Sequence, residues 1–150
     1  NTFKLYDINP ENIEFEVTES AYLENFTLSN KFFRRIGNMG CAIALDDFGT
    51  GYSSLSYLTQ INIDTLKVDR QFVMEIQTSE RSRLVTGAII DLAKRLSLSV
   101  CAEGIENLEQ WNYLREHGCD NVQGFMFSKP IPLSELTCSS SHYSDSSFSV

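Results

Sequence analysis

The stretch Asp46-Asp47-Phe48-Gly49-Thr50-Gly51-Tyr52-Ser53-Ser54-Leu55 decides how this chain is read. It follows a short, wholly apolar run, Cys41-Ala42-Ile43-Ala44-Leu45. Such a run between turn residues reads as a strand buried on both faces, as in a parallel sheet. Two adjacent carboxylates at its carboxyl end are costly unless something neutralises them. Gly49 and Gly51 let the backbone turn sharply and approach a ligand closely. Ser53 reads as the N-cap of a short helix through Leu58. The local order is therefore strand, acidic glycine-rich loop, helix, and α/β proteins bind ligands at that end of their strands. The plain alternative is a solvated, aspartate-rich turn.

Working outward, Ile13-Glu14-Phe15-Glu16-Val17 alternates strictly, the pattern of a strand with two different faces, and Thr18-Glu19-Ser20 ends it. The spacing of Phe32, Phe33 and Ile36 predicts a helix over about 29–38, capped by Ser29 and closed by the Gly37–Gly40 segment. Downstream, Asp64-Thr65-Leu66-Lys67-Val68-Asp69 reads as the next strand. A long helix follows over about 80–96, with Val85, Ala88, Ile89, Leu92 and Leu96 at helical spacing. Then come a strand at 98–103, a helix at 108–116 with Leu108, Trp111 and Leu114 on one face, a stop at Gly118, and a last strand at 121–124. Five βα units in series imply a parallel sheet, open or closed. The apolar parity, 13/15/17, 43/45, 66/68 and 98/100/102, faces an outer layer of helices. The opposite parity places Glu16, Asp46, Lys67 and Glu103 together near the strands' carboxyl ends.

The chain has 150 residues, 42% of them hydrophobic, which suits one domain with a real core. Its net charge of -8 argues against a surface that coats DNA or RNA, and so against a nucleic-acid polymer as partner. A small phosphate ligand stays possible, because bound metal ions reverse the local sign. The four cysteines have no zinc spacing; Cys41 and Cys101 lie in apolar runs and read as buried free thiols, which fits a reducing, cytoplasmic compartment. The sequon Asn25-Phe26-Thr27 is discounted on that ground. No apolar stretch approaches the ~20 residues that span a bilayer, and no signal peptide is visible, although the parent protein can carry a membrane anchor elsewhere. Residues 137–150, with seven serines in fourteen, read as a disordered tail beyond a domain at 1–136.

Three or four carboxylates with a lysine and an amide suit hard divalent cations such as Mg²⁺ or Mn²⁺; the motif strands offer no imidazole. Adjacent aspartates can serve two ions, which together activate water and stabilise in-line displacement at phosphorus. Lys67 stays charged among carboxylates and can hold a water or a phosphate oxygen. Its plain alternative is a buried ion pair with Asp69 or Asp46. Gln123 can orient a ligand.

Glu16-Val17-Thr18-Glu19, the ten-residue loop at 46–55, Leu66-Lys67-Val68-Asp69, Ala102-Glu103-Gly104-Ile105-Glu106 and Val122-Gln123-Gly124-Phe125 closely resemble the EAL domain family, as does the trailing Ser128-Lys129-Pro130-Ile131-Pro132. The resemblance runs from about residue 11 to 133. It implies a TIM-like (β/α) barrel that hydrolyses cyclic di-GMP to linear pGpG with Mg²⁺ or Mn²⁺. By that resemblance Glu16 and Asp46 are metal ligands and Asp47 serves a second ion. Lys67 contacts the metal-bound water or the phosphate. Glu103 is the general base, or a metal-site residue if no base is needed. Glu106 and Gln123 support the site, together with Gly49, Thr50 and Gly51. Glu19 steadies the 46–55 loop, which in the family also takes part in homodimerisation. Upstream sensory or GGDEF-type domains are expected in the parent.

The departures are equally informative. The family's Glu-Ala-Leu motif and the metal-binding Asn of its next motif are absent, and a full barrel needs about 250 residues. The chain is therefore expected to be the carboxyl-terminal portion of such a domain, an incomplete barrel with open sheet edges and weak or no activity alone. Asn62 stands where the family commonly has proline. The competing expectation is a non-catalytic cyclic di-GMP receptor or a protein-interaction module derived from the same fold.

Overall fold

A computed structural model describes residues 2–49, 55–132 and 134–135. Five runs become five strands: β1 (Glu14–Thr18), β2 (Ala42–Phe48), β3 (Thr65–Val68), β4 (Ser99–Glu103) and β5 (Asn121–Gln123). They form one sheet in sequence order, with every neighbouring pair parallel. Parallel neighbours need crossovers. These are α2 (Glu19–Glu24) and α3 (Phe26–Gly37), then a 3₁₀ turn at Leu55–Thr59, then α4 (Arg70–Met74) and α5 (Glu80–Arg95), and last α6 (Leu108–Glu116); α1 (Thr2–Leu5) precedes β1. Right-handed crossovers in a sheet that never reverses its order put all the helices on one face, as in barrel folds. The sheet itself is open, because β1 and β5 each have a single neighbour.

The core lies between that face and the helices. Ile43, Leu45, Leu66, Val68, Val100 and Ala102, the predicted outward parity of the three central strands, are at most 1% exposed. Each full burial of a Val, Leu or Ile stabilises by roughly 1.5–3 kcal/mol. The helices that cover them begin at side-chain caps, each satisfying an otherwise orphaned N–H. Thr18 accepts from Ala21 N–H, Asn25 from Leu28 N–H and Ser79 from Ser82 N–H, and Asn107 forms a full capping box with Gln110.

Three helix expectations need correction. The helix placed at 29–38 starts at Phe26, and Asn25 rather than Ser29 is its cap; Ser29 Oγ donates instead to the Tyr22 carbonyl at 3.3 Å. Of its predicted stripe, Phe33 and Ile36 are buried while Phe32 is half exposed. In α5 the fully buried residues are Ser82, Thr86, Ile89, Ile90 and Ala93; of the predicted stripe Ile89 is buried, Val85, Leu92 and Leu96 pack part-buried against the core, and Ala88 is exposed. Two polar residues enter that buried set because Thr86 Oγ1 donates to the Ser82 carbonyl at 2.8 Å and Ser82 Oγ to Glu75 Oε2 at 2.5 Å. In α6 Leu108 is exposed, and Gln110 and Tyr113 join Leu114 inside.

β2 runs further than the apolar sequence suggests, through both aspartates to Phe48. Leu45 pairs with Leu66 and Phe48 with Val68, so β2 spends one residue more than β3 over this interval. That is a β-bulge. Asp47 sits in it with φ 56°, a left-handed conformation that Asp tolerates better than most residues. No helix among the described residues is long and apolar enough to cross a membrane.

Candidate active site at the carboxyl ends of the strands

Lys67 stands at the centre. Its side chain is 5% exposed, and its Nζ lies 2.8 Å from Glu16 Oε2, 3.4 Å from Asp46 Oδ1 and 2.5 Å from Glu103 Oε1. Strand parity brings these four residues together, because they occupy the inward set of four adjacent strands. Gln123 of β5 completes the row, its Nε2 donating to Glu103 Oε1 at 2.7 Å. Burial works against the Lys67 charge, but hydrogen bonds to Glu103 and Glu16 and the charges of Glu103 and Asp46 outweigh it. The ammonium therefore holds its proton well above the ordinary lysine range.

The bulge brings a second carboxylate to the same end. Burial and the charges of Asp46 and Asp69 push the Asp47 carboxyl up, against the pull of Lys67, and a hydrogen bond with Asp69 adds to the rise. The plain alternative for Lys67, a buried ion pair with Asp69 or Asp46, is met by Asp46; among the described residues Asp69 forms no ion pair with Lys67, but faces Asp47 and caps α4 through Gln71 N–H at 2.8 Å. Sequence reasoning gave Asp69 no catalytic or metal-binding role, only that alternative pairing with Lys67. The available signal was its position one residue beyond β3, at the same carboxyl end of the sheet as Asp46 and Asp47.

A shell of fixed contacts holds these groups. Glu19, 2% exposed, accepts from Gly49 N–H through Oε2 at 3.3 Å and from the Tyr57 hydroxyl through Oε1. Gly49 has φ +92°, and a Cβ there would stand 3.1 Å from the Phe72 ring. Glu106 accepts from Arg70 Nη2 at 2.8 Å. Arg70 reaches it across Gly104, whose φ is +74° and where a Cβ would lie 2.2 Å from Arg70 Cγ. Thr50 and Gly51 lie outside the described residues, as do Ser53, Cys138 and the serine-rich tail.

The donors suit a hard cation: carboxylate oxygens with one amide nearby. The Cys101 thiol close by is pushed up to about 11, first by burial, so it presents no thiolate at neutral pH. Cys119 is likewise pushed up to about 12 by burial. Among the described residues no three Asp, Glu, His or Cys side chains are grouped to hold a metal. Glu16, Asp46 and Glu103 instead all turn to the Lys67 ammonium.

This geometry defines a parallel α/β domain with an acidic site at its strand ends, and comparison with known proteins gives the class a name. The family model described as the EAL domain matches residues 1–130. The chain belongs to the EAL domain family. It is 46% identical over 124 residues to cyclic di-GMP phosphodiesterase NbdA of Pseudomonas aeruginosa, covering 83% of this chain and 16% of NbdA. Its fold superimposes on the PaMucR phosphodiesterase in complex with c-di-GMP with a TM-score of 0.86 at 35% identity, over 91% of this chain and 55% of that one. Klebsiella pneumoniae BlrP1, in a complex with manganese and cy-diGMP, gives 0.80 at 34% identity, over 86% and 33% of the two chains. The chain thus spans 16% of the length of the first curated relatives that it matches.

Proposed function

We propose that the protein carrying this chain hydrolyses cyclic di-GMP to linear pGpG, using Mg²⁺ or Mn²⁺ as a pair of ions. One observation carries the reading: four adjacent strands of an EAL domain deliver Glu16, Asp46, Lys67 and Glu103 to one point. The charge balance supports it. Five carboxylates, Glu16, Asp46, Asp47, Asp69 and Glu103, gather around one ammonium, so an anionic phosphodiester is repelled until cations enter.

Glu16, Asp46, Asp47 and Asp69 are the residues that would hold such cations. Bound divalent ions supply a hydroxide-like nucleophile at neutral pH and polarise the phosphoryl oxygens. The chain's own residues do the rest. The Lys67 Nζ keeps its proton and offers fixed positive charge to a phosphate oxygen or a water. Gln123 orients the Glu103 carboxylate, which can accept a proton at Oε2 while Oε1 stays engaged. Glu19 fixes the backbone at Gly49, immediately after the acidic pair. Arg70 ties the end of β3 to the turn after β4 through Glu106.

A non-catalytic cyclic di-GMP receptor is the second reading, favoured by the lack of a three-carboxylate metal grouping among the described residues. Turnover separates the two. Metal-dependent appearance of pGpG, abolished in Asp46→Ala, supports the enzyme. Saturable binding of cyclic di-GMP with no product supports the receptor.

A further inference from the structure

Outside the acidic row, one face of α3 carries an open groove of about 680 Å³. Phe26, Asn30, Lys31, Arg34, Arg35 and Met39 line it. The chain is acidic overall, at -8, yet three of its twelve basic residues, Lys31, Arg34 and Arg35, fall within residues 31–35. Among the described residues none of the three forms an ion pair, so their charge faces solvent uncompensated; what sets them apart is that they stand together on one helix face. Arg34 and Arg35 also complement the carboxyl end of α3, but Lys31 stands a turn earlier, so the helix dipole does not account for the set. Guanidinium forks beside an ammonium are the usual chemistry for phosphate, and the Phe26 ring and Met39 add apolar surface at the groove.

The groove is wired to the active-site loop. Asn30 Oδ1 accepts from the Tyr22 hydroxyl at 3.2 Å, which leaves its amide N–H groups for a ligand. The Tyr22 ring, fully buried, packs on Phe26 at 5.3 Å and on Tyr57 at 5.6 Å. The Tyr57 hydroxyl bonds Glu19, and Glu19 bonds Gly49 N–H.

We infer that this face of α3 is a binding site for a phosphate-bearing anion of nucleotide size, and that its occupancy is felt at Gly49 through Tyr22, Tyr57 and Glu19. The inference does not depend on the proposed hydrolysis, and either can fail alone.

The test is a ¹⁵N NMR titration of the chain with ATP, pyrophosphate and a decaglutamate peptide, in EDTA and about 0.1 M salt. ATP is expected to bind saturably, with shifts along α3 and at Gly49. Lys31→Gln/Arg34→Gln/Arg35→Gln weakens it at least about tenfold, and the single exposed change Lys31→Glu about threefold or more. Tyr57→Phe keeps ATP binding but loses the Gly49 shift. No saturable ATP binding up to about 10 mM, or equal binding by the triple variant, overturns the site. Equal affinity for ATP and pyrophosphate overturns the nucleotide size. Decaglutamate binding where neither phosphate binds makes the groove a protein-docking face and overturns the ligand class. A Gly49 shift that survives in Tyr57→Phe overturns the coupling.

Discussion

The two ends of the sheet treat aspartate in opposite ways. At the amino end, Asp64 accepts from Ile43 N–H at 2.9 Å and Asp120 accepts from Val100 N–H at 2.7 Å and from the Lys94 ammonium. Each closes the ladder of a neighbouring strand. Burial disfavours the Asp120 charge, but Lys94 and the Val100 N–H outweigh it and hold its carboxyl below the ordinary range. At the carboxyl end, Glu16, Asp46 and Glu103 share one ammonium, Asp47 and Asp69 crowd beside them, and the Asp47 carboxyl is pushed up. The same side chain serves stability where a fixed donor answers it. Where carboxylates outnumber donors, it stores unfavourable charge that a bound cation would relieve.

The largest effect on stability is expected from removing the cation on which Glu16, Asp46 and Glu103 converge. Lys67→Met leaves three carboxylates without their partner and costs about 2 kcal/mol, less than a fully buried pair because Glu16 remains half exposed to water. Urea denaturation checks it; an unchanged midpoint breaks the claim that Lys67 balances this end. Gly104→Ala comes next, at about 1–2 kcal/mol, since the new Cβ must adopt a left-handed conformation and displace Arg70. An intact Arg70–Glu106 pair and full stability in that variant contradict the packing described. Asp120→Asn costs about 1 kcal/mol, limited by the exposure of the Lys94 pair.

Acid titration sharpens the contrast. The Asp120 carboxyl is depressed in the folded protein, so its contribution is present above the unfolded value and is lost as pH falls through the folded one. Below about pH 4 the gap in stability between the native protein and Asp120→Asn narrows. A gap that stays constant down to about pH 2 contradicts the assignment. The smallest effect is chemical: Cys101 and Cys119, both held protonated by burial, alkylate slowly at pH 8 in the native state and faster in urea.

Much of this arrangement was legible in the sequence because strands have a period of two. Once Leu45, Leu66 and Val100 were read as facing the helices, Asp46, Lys67 and Glu103 had to face the other way. The bulge escaped that reading, since parity breaks where Asp47 takes a positive φ, and with it went the pairing of Asp47 with Asp69. Helix faces were harder. Ser82 and Thr86 look like surface residues until their hydrogen bonds to Glu75 and to the helix backbone are seen. Asn25 reads in the sequence only as part of a discounted sequon, and its contact with Leu28 N–H shows it instead as the cap of α3. The acidic site was legible as residues; its centre on Lys67 needed the coordinates.

The most direct measurement compares cyclic di-GMP turnover by the protein carrying this chain with turnover by its Asp46→Ala and Asp120→Asn variants, each in Mn²⁺. The account predicts a loss of about 100-fold or more in Asp46→Ala and activity within about twofold of the parent in Asp120→Asn. Undiminished turnover in Asp46→Ala, or an equal loss in both variants, would contradict the division of labour between the two ends of the sheet.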